Sequence, residues 1–252
     1  MFLEAVSRGV EIDAIVMEDV FYEKGLSPAL EQVFSDYEDS LGAKKEAAGI
    51  LPSDINIVWS GFFKHLITTA TSCGMVATGV QIEATIDNVL EDCRRRKAEG
   101  LPSTVVILEG IQDPGNLGTI IRSALAFEAS GVILTKGTVD PYNPKVVRSA
   151  MGALFDIPVV LDASLQDTVA MLKAEGFSVC ALNPEAEQSL SQAKLPSDLV
   201  LLLGNEGAGL SQTATALADL DLKINISPLI ESLNVSIAAA VVLFHLANDK
   251  NR

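Results

Sequence analysis

The sequence lacks the features that mark membrane, secreted and metal-binding proteins. No apolar run approaches the roughly 18 residues that a membrane-spanning helix needs. The first residues carry an acid instead of the basic-then-apolar pattern of a signal peptide. The chain has three cysteines, Cys73, Cys93 and Cys180, which are widely spaced and form no CxxC pair. Because their number is also odd, we expect neither a disulfide framework nor a zinc site. These absences predict a cytoplasmic protein with no membrane contact and no metal.

Basic residues are also scarce. The chain has 18 Lys and Arg against 33 Asp and Glu, a formal net charge of −15. Because nucleic acids are bound largely through Lys and Arg contacts to phosphates, this balance argues against nucleic-acid binding by bulk positive charge. Any such function must depend on local patches, and the run Arg94-Arg95-Arg96-Lys97 is one.

Apolar sequence, in contrast, is plentiful. Hydrophobic residues make up 48% of the 252 residues, which is enough for one large or two modest domains. Helix-like and strand-like stretches alternate along the chain and predict an α/β protein with a mostly parallel sheet. We place a small α/β domain at residues 1–82, a linker at 83–102, and a larger α/β domain at 103–252.

Individual elements follow from apolar runs and capping residues. In the small domain we expect a helix over 28–40, which begins at Ser27-Pro28, a good N-cap and N1 pair. In the larger domain we expect five or six strands. The predicted strands there are 104–108, 131–134, 158–160, 177–182, 199–203 and 222–226, and the predicted helices are about 117–129, 143–150, 165–175 and 233–247.

The first unusual loop follows the predicted strand at 104–108. It contains three glycines and Pro114, and Asn116 is placed to cap the helix that follows. Arg122 lies two turns into that helix, which is otherwise apolar. A charge there is costly unless it is paired or belongs to a site, so Arg122 is either a site residue or a structural arginine bound to a carbonyl.

The second loop is Leu203-Gly204-Asn205-Glu206-Gly207-Ala208-Gly209-Leu210. It is neither a GxGxxG dinucleotide motif nor a phosphate-binding loop ending in GK[ST]. Its glycines allow the backbone to approach a ligand closely, although an ordinary glycine-rich turn has the same composition. Glu206 places a carboxylate in this loop.

The third loop runs from Ile226 to Ser236 and leads into the apolar segment AAAVVLFHLA. Ser232 suits the N-cap of the final helix, which places Asn234 in its first turn. Capping accounts for Ser232 but leaves Asn234 unexplained.

Together these loops resemble a known family. The segments DPGNLGTIIRSA, LLLGNEGAGLS and ESLNVSIAAAVVLF, in that order, are similar to the three signature motifs of the SpoU (TrmH-like) family of SPOUT-class RNA 2′-O-ribose methyltransferases. DPYNPKVVRSAMGA (140–153) resembles a further family segment. The first domain, with its ending GMVATGV, resembles a small substrate-recognition domain related to ribosomal RNA-binding proteins.

The resemblance implies an AdoMet-dependent RNA 2′-O-ribose methyltransferase with a deep trefoil knot in its larger domain. It implies a homodimer formed through the knotted domain, with ribosomal RNA favoured over tRNA as substrate. The implied catalytic positions are Asn116, Arg122, Glu206, Ser232 and Asn234. The implied AdoMet-binding positions are Leu203, Gly204, Asn205, Gly207, Ile224, Ile226 and Leu233. We expect RNA contacts from Arg94, Arg95, Arg96 and Arg148.

The sequence also departs from the family pattern. Pro228 and Leu229 stand where family members usually carry glycine. A non-catalytic RNA-binding relative that keeps the fold is therefore the alternative, and AdoMet binding would discriminate between the two.

Overall fold

The structure, a computed structural model, describes residues 2–28, 30–32, 55–67 and 73–249. The chain divides into two units, Met1–Ile82 and Glu83–Arg252. The segment 83–102, which we expected to be a linker, therefore belongs to the second unit.

The first unit is built on a three-stranded sheet. Its elements are α1 (Phe2–Ser7), β1 (Ile12–Glu18), α2 (Asp19–Glu23), β2 (Ile55–Val58), α3 (Ser60–Phe63) and β3 (Met75–Gly79). β1 is central, parallel to β2 and antiparallel to β3. Met17 of β1 and Phe63 of α3 are fully buried in its core.

The predicted helix over 28–40 falls largely outside the described residues. Its start is seen, since the Ser27 hydroxyl accepts a hydrogen bond from the amide of Leu30 at 3.3 Å, as expected for an N-cap serine.

The second unit contains a seven-stranded sheet in which all strand pairs are parallel. Its strands are β4 (Ser103–Leu108), β5 (Gly131–Thr135), β6 (Val159–Ala163), β7 (Ser178–Leu182), β8 (Gln188–Ser189), β9 (Asp198–Leu203) and β10 (Leu220–Lys223). Their order across the sheet is β6-β5-β4-β9-β7-β10-β8. The sheet exceeds the five or six strands expected because β8 is only two residues long and leaves no apolar pattern.

Helices cover both faces of this sheet. They are α4 (Ile86–Ala98), α5 (Pro114–Ala126), α6 (Pro144–Ala150), α7 (Leu165–Ala174), α8 (Gln212–Leu217) and α9 (Val235–Asn248). Successive residues of a strand face opposite sides, so Val106 of β4 packs with α5 and α9 while Val105 packs with α4 and α7. Val89 and Cys93 of α4 are buried in the second of these clusters, so α4 packs against the sheet of the second unit.

All the strands in this sheet point the same way, so their carboxyl ends share one edge. The loops after β4, β9 and β10 leave from that edge, and they are the three loops singled out from the sequence. In open parallel sheets ligands bind at this edge, so the fold brings the candidate residues to the expected place.

Candidate active site

A chain of hydrogen bonds joins the three loops. The carboxylate of Glu206, in the loop after β9, accepts hydrogen bonds from the amides of Gln112 (3.2 Å) and Asp113 (3.1 Å) and from Nδ2 of Asn116 (3.0 Å). Oδ1 of Asn116 in turn accepts a hydrogen bond from Nδ2 of Asn234 at 3.0 Å. Both ends of the Asn116 carboxamide are therefore occupied, and its orientation is fixed.

The cap of α5 differs from the sequence expectation. Asp113, not Asn116, is the N-cap: its Oδ1 accepts a hydrogen bond from the amide of Asn116 at 2.9 Å, and Pro114 occupies the first helical position. The prediction of Asn116 as the cap was wrong because the helix begins three residues earlier. Freed from capping, the Asn116 side chain joins Glu206 to Asn234.

The cap of α9 also differs. Asn234, not Ser232, is the N-cap, and its Oδ1 accepts hydrogen bonds from the amides of Ser236 (2.9 Å) and Ile237 (3.4 Å). Ser232 is exposed and lies two residues before the cap. The prediction of Ser232 as the cap was wrong because the helix starts two residues later. Asn234 caps it and also donates a hydrogen bond to Asn116.

Asn205 shapes the loop after β9. Its backbone exchanges two hydrogen bonds with Gly209, at 3.0 and 2.9 Å. Its Oδ1 accepts hydrogen bonds from the amides of Gly207 (2.9 Å) and Ala208 (3.0 Å), and its Nδ2 donates to the Gly110 carbonyl at 2.7 Å. Asn205, which we predicted to be a cofactor residue, thus holds the loop closed and ties it to the loop after β4.

The glycines of this loop have different roles. A Cβ on Gly204 would lie 2.3 Å from the Gly209 carbonyl carbon, so backbone contact alone demands glycine at position 204. A Cβ on Gly207 would meet nothing closer than 3.7 Å. Among the described residues nothing requires glycine at position 207, so the missing side chain leaves space for a bound molecule.

Two carboxylates at the site are held in the charged form. Burial raises the pKa of the Glu206 carboxyl, but hydrogen bonds from the Asn116 side chain and from backbone amides outweigh it, and the pKa lies below its usual value. The Asn116 amide and the nearby Lys145, 3.5 Å away, lower the pKa of Asp113. Both carboxylates are therefore weak bases. The hydrogen bonds that they accept hold the loops together.

Arg122 lies on α5, two turns beyond Asp113, with its side chain exposed. Within the part of the chain that the structure describes, it has no ion pair and no hydrogen bond through its guanidinium. The alternative of a structural arginine bound to a carbonyl is therefore not seen there. Its donors are available to a ligand.

The predicted cofactor residues lie on two of the same loops. Leu203 ends β9 and is buried, whereas Ile224, Ile226 and Leu233 are partly buried in the loop that follows β10. β9 and β10 flank β7 in the sheet, so these loops border one region of the edge. Half-buried apolar side chains beside a tight glycine loop suit a flat apolar ring such as adenine.

Sequence reasoning missed one further bridge at the site. The carboxylate of Glu109 accepts hydrogen bonds from the amide (2.8 Å) and the hydroxyl (2.7 Å) of Ser211, the N-cap of α8. No local pattern links residues 102 positions apart, so only the fold reveals it.

The predicted RNA-binding arginines are paired within the protein. Arg94 lies 2.5 Å from Glu175, Arg95 lies 2.5 Å from Asp92, Arg96 lies 3.4 Å from Glu128, and Lys97 lies 4.0 Å from Asp198. Arg96 also donates to the Pro102 carbonyl at 2.9 Å. Neighbouring acids offset much of this positive charge, and RNA contact by the run stays a prediction, as does contact by Arg148 on α6.

The described residues contain neither a metal-binding cluster nor a membrane-spanning helix. Over residues 2–28, 30–32, 55–67 and 73–249, no group of three or more His, Cys, Asp or Glu residues is arranged to hold a metal ion. In those same residues no helix is long and apolar enough to cross a membrane.

Comparison with known proteins decides the family. A model of the SpoU rRNA Methylase family matches residues 103–244, which include all three loops. The chain belongs to this family. The resemblance found in the motif sequences is thereby confirmed.

Curated relatives of the family share the same region. The chain is 40% identical over 142 residues to the 23S rRNA (guanosine(2553)-2'-O)-methyltransferase RlmP of Bacillus subtilis, covering 56% of this chain and 57% of that protein. It is 31% identical over 177 residues to the 23S rRNA (guanosine-2'-O-)-methyltransferase RlmB of Coxiella burnetii, covering 70% of each. The match thus spans little more than half the length of RlmP.

Solved structures resemble nearly the whole chain. An AdoMet-bound rRNA methyltransferase from Sinorhizobium meliloti is 28% identical with a TM-score of 0.75, covering 98% of this chain and 84% of that one. AviRb from Streptomyces viridochromogenes has a TM-score of 0.76 at 23% identity, covering 99% and 86%, and supports the fold alone. The predicted α/β class with a mostly parallel sheet is confirmed.

Proposed function

We propose that this SpoU-family protein is an AdoMet-dependent RNA 2′-O-ribose methyltransferase that acts on ribosomal RNA. The observation that carries the proposal is the hydrogen-bonded chain Glu206–Asn116–Asn234, which joins the three family motifs at the carboxyl edge of the sheet. Ribosomal RNA is favoured because RlmP and RlmB are named for it.

AdoMet would supply an electrophilic methyl group on a sulfonium. The loops after β9 and β10 fit such a molecule, because Gly207 leaves space and Ile224, Ile226 and Leu233 are partly buried apolar side chains. We assign these residues, with Leu203, Gly204 and Asn205, to cofactor binding. The tight Asn205–Gly209 turn keeps the loop rigid, and a preformed pocket loses less entropy on binding.

The remaining residues would act on the RNA. The ribose oxygen must be aligned with the methyl group and must lose its proton as it takes that group. A guanidinium is a poor base, so we assign Arg122 to holding an RNA phosphate and stabilising developing negative charge on the attacking oxygen. Asn116, Ser232 and Asn234 would supply neutral hydrogen bonds, and Glu206 would hold Asn116 in place.

The central test is substitution of Arg122. Arg122→Ala should abolish methyl transfer to RNA while AdoMet affinity, measured by calorimetry, stays within a few-fold of wild type. Arg122→Lys is the matched variant: it keeps the charge but loses the planar fork, and should retain only part of the activity. Normal turnover by Arg122→Ala would refute the assignment.

A second experiment, in cells, would identify the RNA substrate. Ribose methylation would be mapped in ribosomal RNA and tRNA with and without the gene. Loss of one ribosomal 2′-O-methyl group is the expected result, and loss confined to tRNA would redirect the proposal to that substrate. Absence of AdoMet binding by the purified chain would instead favour a non-catalytic relative.

We also propose that the second unit forms a two-fold homodimer. α9 exposes Ile237, Val241 and Phe244, whose spacing places them on one helical face. The Phe244 ring packs edge-on against Phe127, with centroids 5.8 Å apart. Phe244→Glu should yield a monomer by light scattering, and a wild-type chain that is monomeric at micromolar concentration yet active would contradict the proposal.

Two further proposals come from the family resemblance. We propose that residues 103–252 contain the deep trefoil knot that the family resemblance implies. We propose that residues 1–82, a separate unit, recognise the RNA substrate.

A further inference from the structure

The first unit exposes aromatic side chains at one edge of its sheet. Trp59, which follows β2, is 72% exposed, Phe62 of α3 is 53% exposed, and Tyr22 of α2, which follows β1, is 48% exposed. β1 and β2 are parallel neighbours, so their carboxyl ends lie side by side. Asp19 of α2 accepts hydrogen bonds from the amide (3.1 Å) and the hydroxyl (2.5 Å) of Ser60 on α3. We call Tyr22, Trp59 and Phe62 the aromatic edge.

The indole of Trp59 is supported on one face. A Cβ added to Gly61 would lie 2.2 Å from Cη2 of the Trp59 ring, so the ring lies against the Gly61 backbone. Its high exposure leaves the opposite face open to solvent. α3 is fixed to the core through Phe63, which is fully buried, while the adjacent Phe62 is exposed. The result is a flat apolar surface on an anchored turn.

A cation follows the aromatic side chains directly. Lys64 is exposed immediately after Phe63, and the exposed side chain of His65 comes next. Aromatic faces beside a cation match a nucleotide, in which a flat base is joined to an anionic phosphate. The carboxylate of Asp19 is already engaged by Ser60 and by the amide of Val20 at 2.8 Å.

We propose that the aromatic edge binds unpaired nucleotides of the RNA substrate by stacking their bases on Trp59 and Phe62. The inference rests on the proposed function, in which RNA is the substrate. A chain of net charge −15 needs a source of RNA affinity that does not depend on bulk charge, and stacking is such a source. Unpaired nucleotides are required because bases within a duplex already stack on each other.

The test uses intrinsic fluorescence of the full-length protein. The chain contains one tryptophan and three tyrosines, so excitation at the red edge of the indole band, where tyrosine does not absorb, reports on Trp59 alone. Titration with an unstructured single-stranded RNA of about ten nucleotides should quench the emission saturably, and a duplex of the same length should quench it far less. Equal responses to the two RNAs, or no quenching at saturating RNA, would overturn the proposal.

Variants separate stacking from other kinds of contact. Trp59→Ala should weaken binding of the single-stranded RNA roughly 5- to 100-fold, whereas Trp59→Phe, which keeps a ring, should lose only a few-fold. Gly61→Ala displaces the ring without removing it and should weaken binding by an intermediate factor. The slope of log affinity against log salt should stay unchanged in all three, because no phosphate contact is lost.

The control is thermal unfolding, which should be the same for Trp59→Ala and wild type because the side chain is largely exposed. If Trp59→Ala folds normally and binds RNA with wild-type affinity, the aromatic edge is not a base-binding surface. Binding of a protein to that edge, lost in Trp59→Ala, would then indicate a protein partner instead. This failure is distinguishable from failure of the proposed function, since methyl transfer dependent on Arg122 would persist. If the chain neither binds nor methylates RNA, the proposed function fails as well.

Discussion

Substitution of Asn234 by aspartate separates two roles that this side chain combines. Its Oδ1 caps α9 through the amides of Ser236 and Ile237, and its Nδ2 donates to Oδ1 of Asn116 at 3.0 Å. Aspartate is as good an N-cap as asparagine, and its charge interacts favourably with a helix N-terminus by about 0.3–1 kcal/mol. The capping role is therefore retained in Asn234→Asp.

The link to Asn116 is lost in the same variant. The second carboxylate oxygen of the aspartate replaces Nδ2 and faces Oδ1 of Asn116, so two acceptors meet. Asn116 cannot rotate to compensate, because its Nδ2 already donates to Glu206 at 3.0 Å. One of the two hydrogen bonds that link Glu206, Asn116 and Asn234 must therefore break. The cost is about 0.5–1.5 kcal/mol for the neutral bond and about 1.5–3 kcal/mol for the bond to the Glu206 carboxylate, reduced by the exposure of the site.

Two variants measured together test this reasoning. In Asn234→Asp the gain at the cap offsets much of the lost bond, so its free energy of unfolding should stay within about 1 kcal/mol of wild type. Asn234→Ala loses the cap and the link, and should be less stable by about 1–3 kcal/mol. Both should lose methyl transfer, because Asn116 is no longer held. Denaturant titration and transfer of labelled methyl groups provide the readouts.

Full methyl transfer by Asn234→Asp would show that the chain of hydrogen bonds is not needed for activity. Wild-type stability in Asn234→Ala would show that Asn234 does not cap α9 in solution. Either result would refute the assignment of two roles to one side chain.

Further substitutions probe the electrostatics and packing of the second unit. The pKa of Glu206 is lowered on folding, so its stabilisation is full above the pKa of an unfolded glutamate and is lost as pH falls through the lower folded pKa. The difference in unfolding free energy between wild type and Glu206→Gln should shrink over that range, and a constant difference would contradict this. Gly118→Ala should cost about 1–3 kcal/mol, because the Cβ would lie 1.9 Å from the Ser149 hydroxyl. The control Gly207→Ala, with space for its Cβ, should unfold like wild type, and equal losses would argue against overpacking. Arg96→Ala should lower the melting temperature, since this arginine is only 13% exposed and donates to a backbone carbonyl; an unchanged melting temperature would mean that the bond contributes nothing.

The central strands were predictable because they are buried on both faces. TVVIL and LVLLL became β4 and β9, whose residues are almost all buried, and such continuous apolar runs are typical of parallel strands. The two-residue β8 and the six-residue α8 were missed, since elements this short carry no periodic signal. Residues 83–99 were interpreted as a polar helix or a linker, and the structure has a helix there, α4, whose buried face is confined to Val89, Leu90 and Cys93.

The site residues were found by pattern, but their roles depend on contacts that no pattern contains. Asn116 and Glu206 are 90 positions apart, and Asn116 and Asn234 are 118 apart. Both helix caps were misplaced by two or three residues because several capping side chains occur close together in each loop. The Asp113-Pro114 pair did carry a usable signal, the same N-cap and N1 pattern that located Ser27-Pro28.

The acidic composition of the chain is compatible with the proposed RNA substrate, even though the basic run 94–97 is paired with neighbouring acids. Distant charges are screened over about 10 Å at ordinary salt, so a net charge of −15 acts weakly on an RNA already at the site. Arg122 lies exposed on α5 with its guanidinium donors open among the described residues. An RNA would be held by a few directed contacts. An RNA that did not place its ribose within reach of those contacts would bind weakly, because the net charge of the protein provides no attraction. Selectivity in such a protein rests on geometry more than on charge.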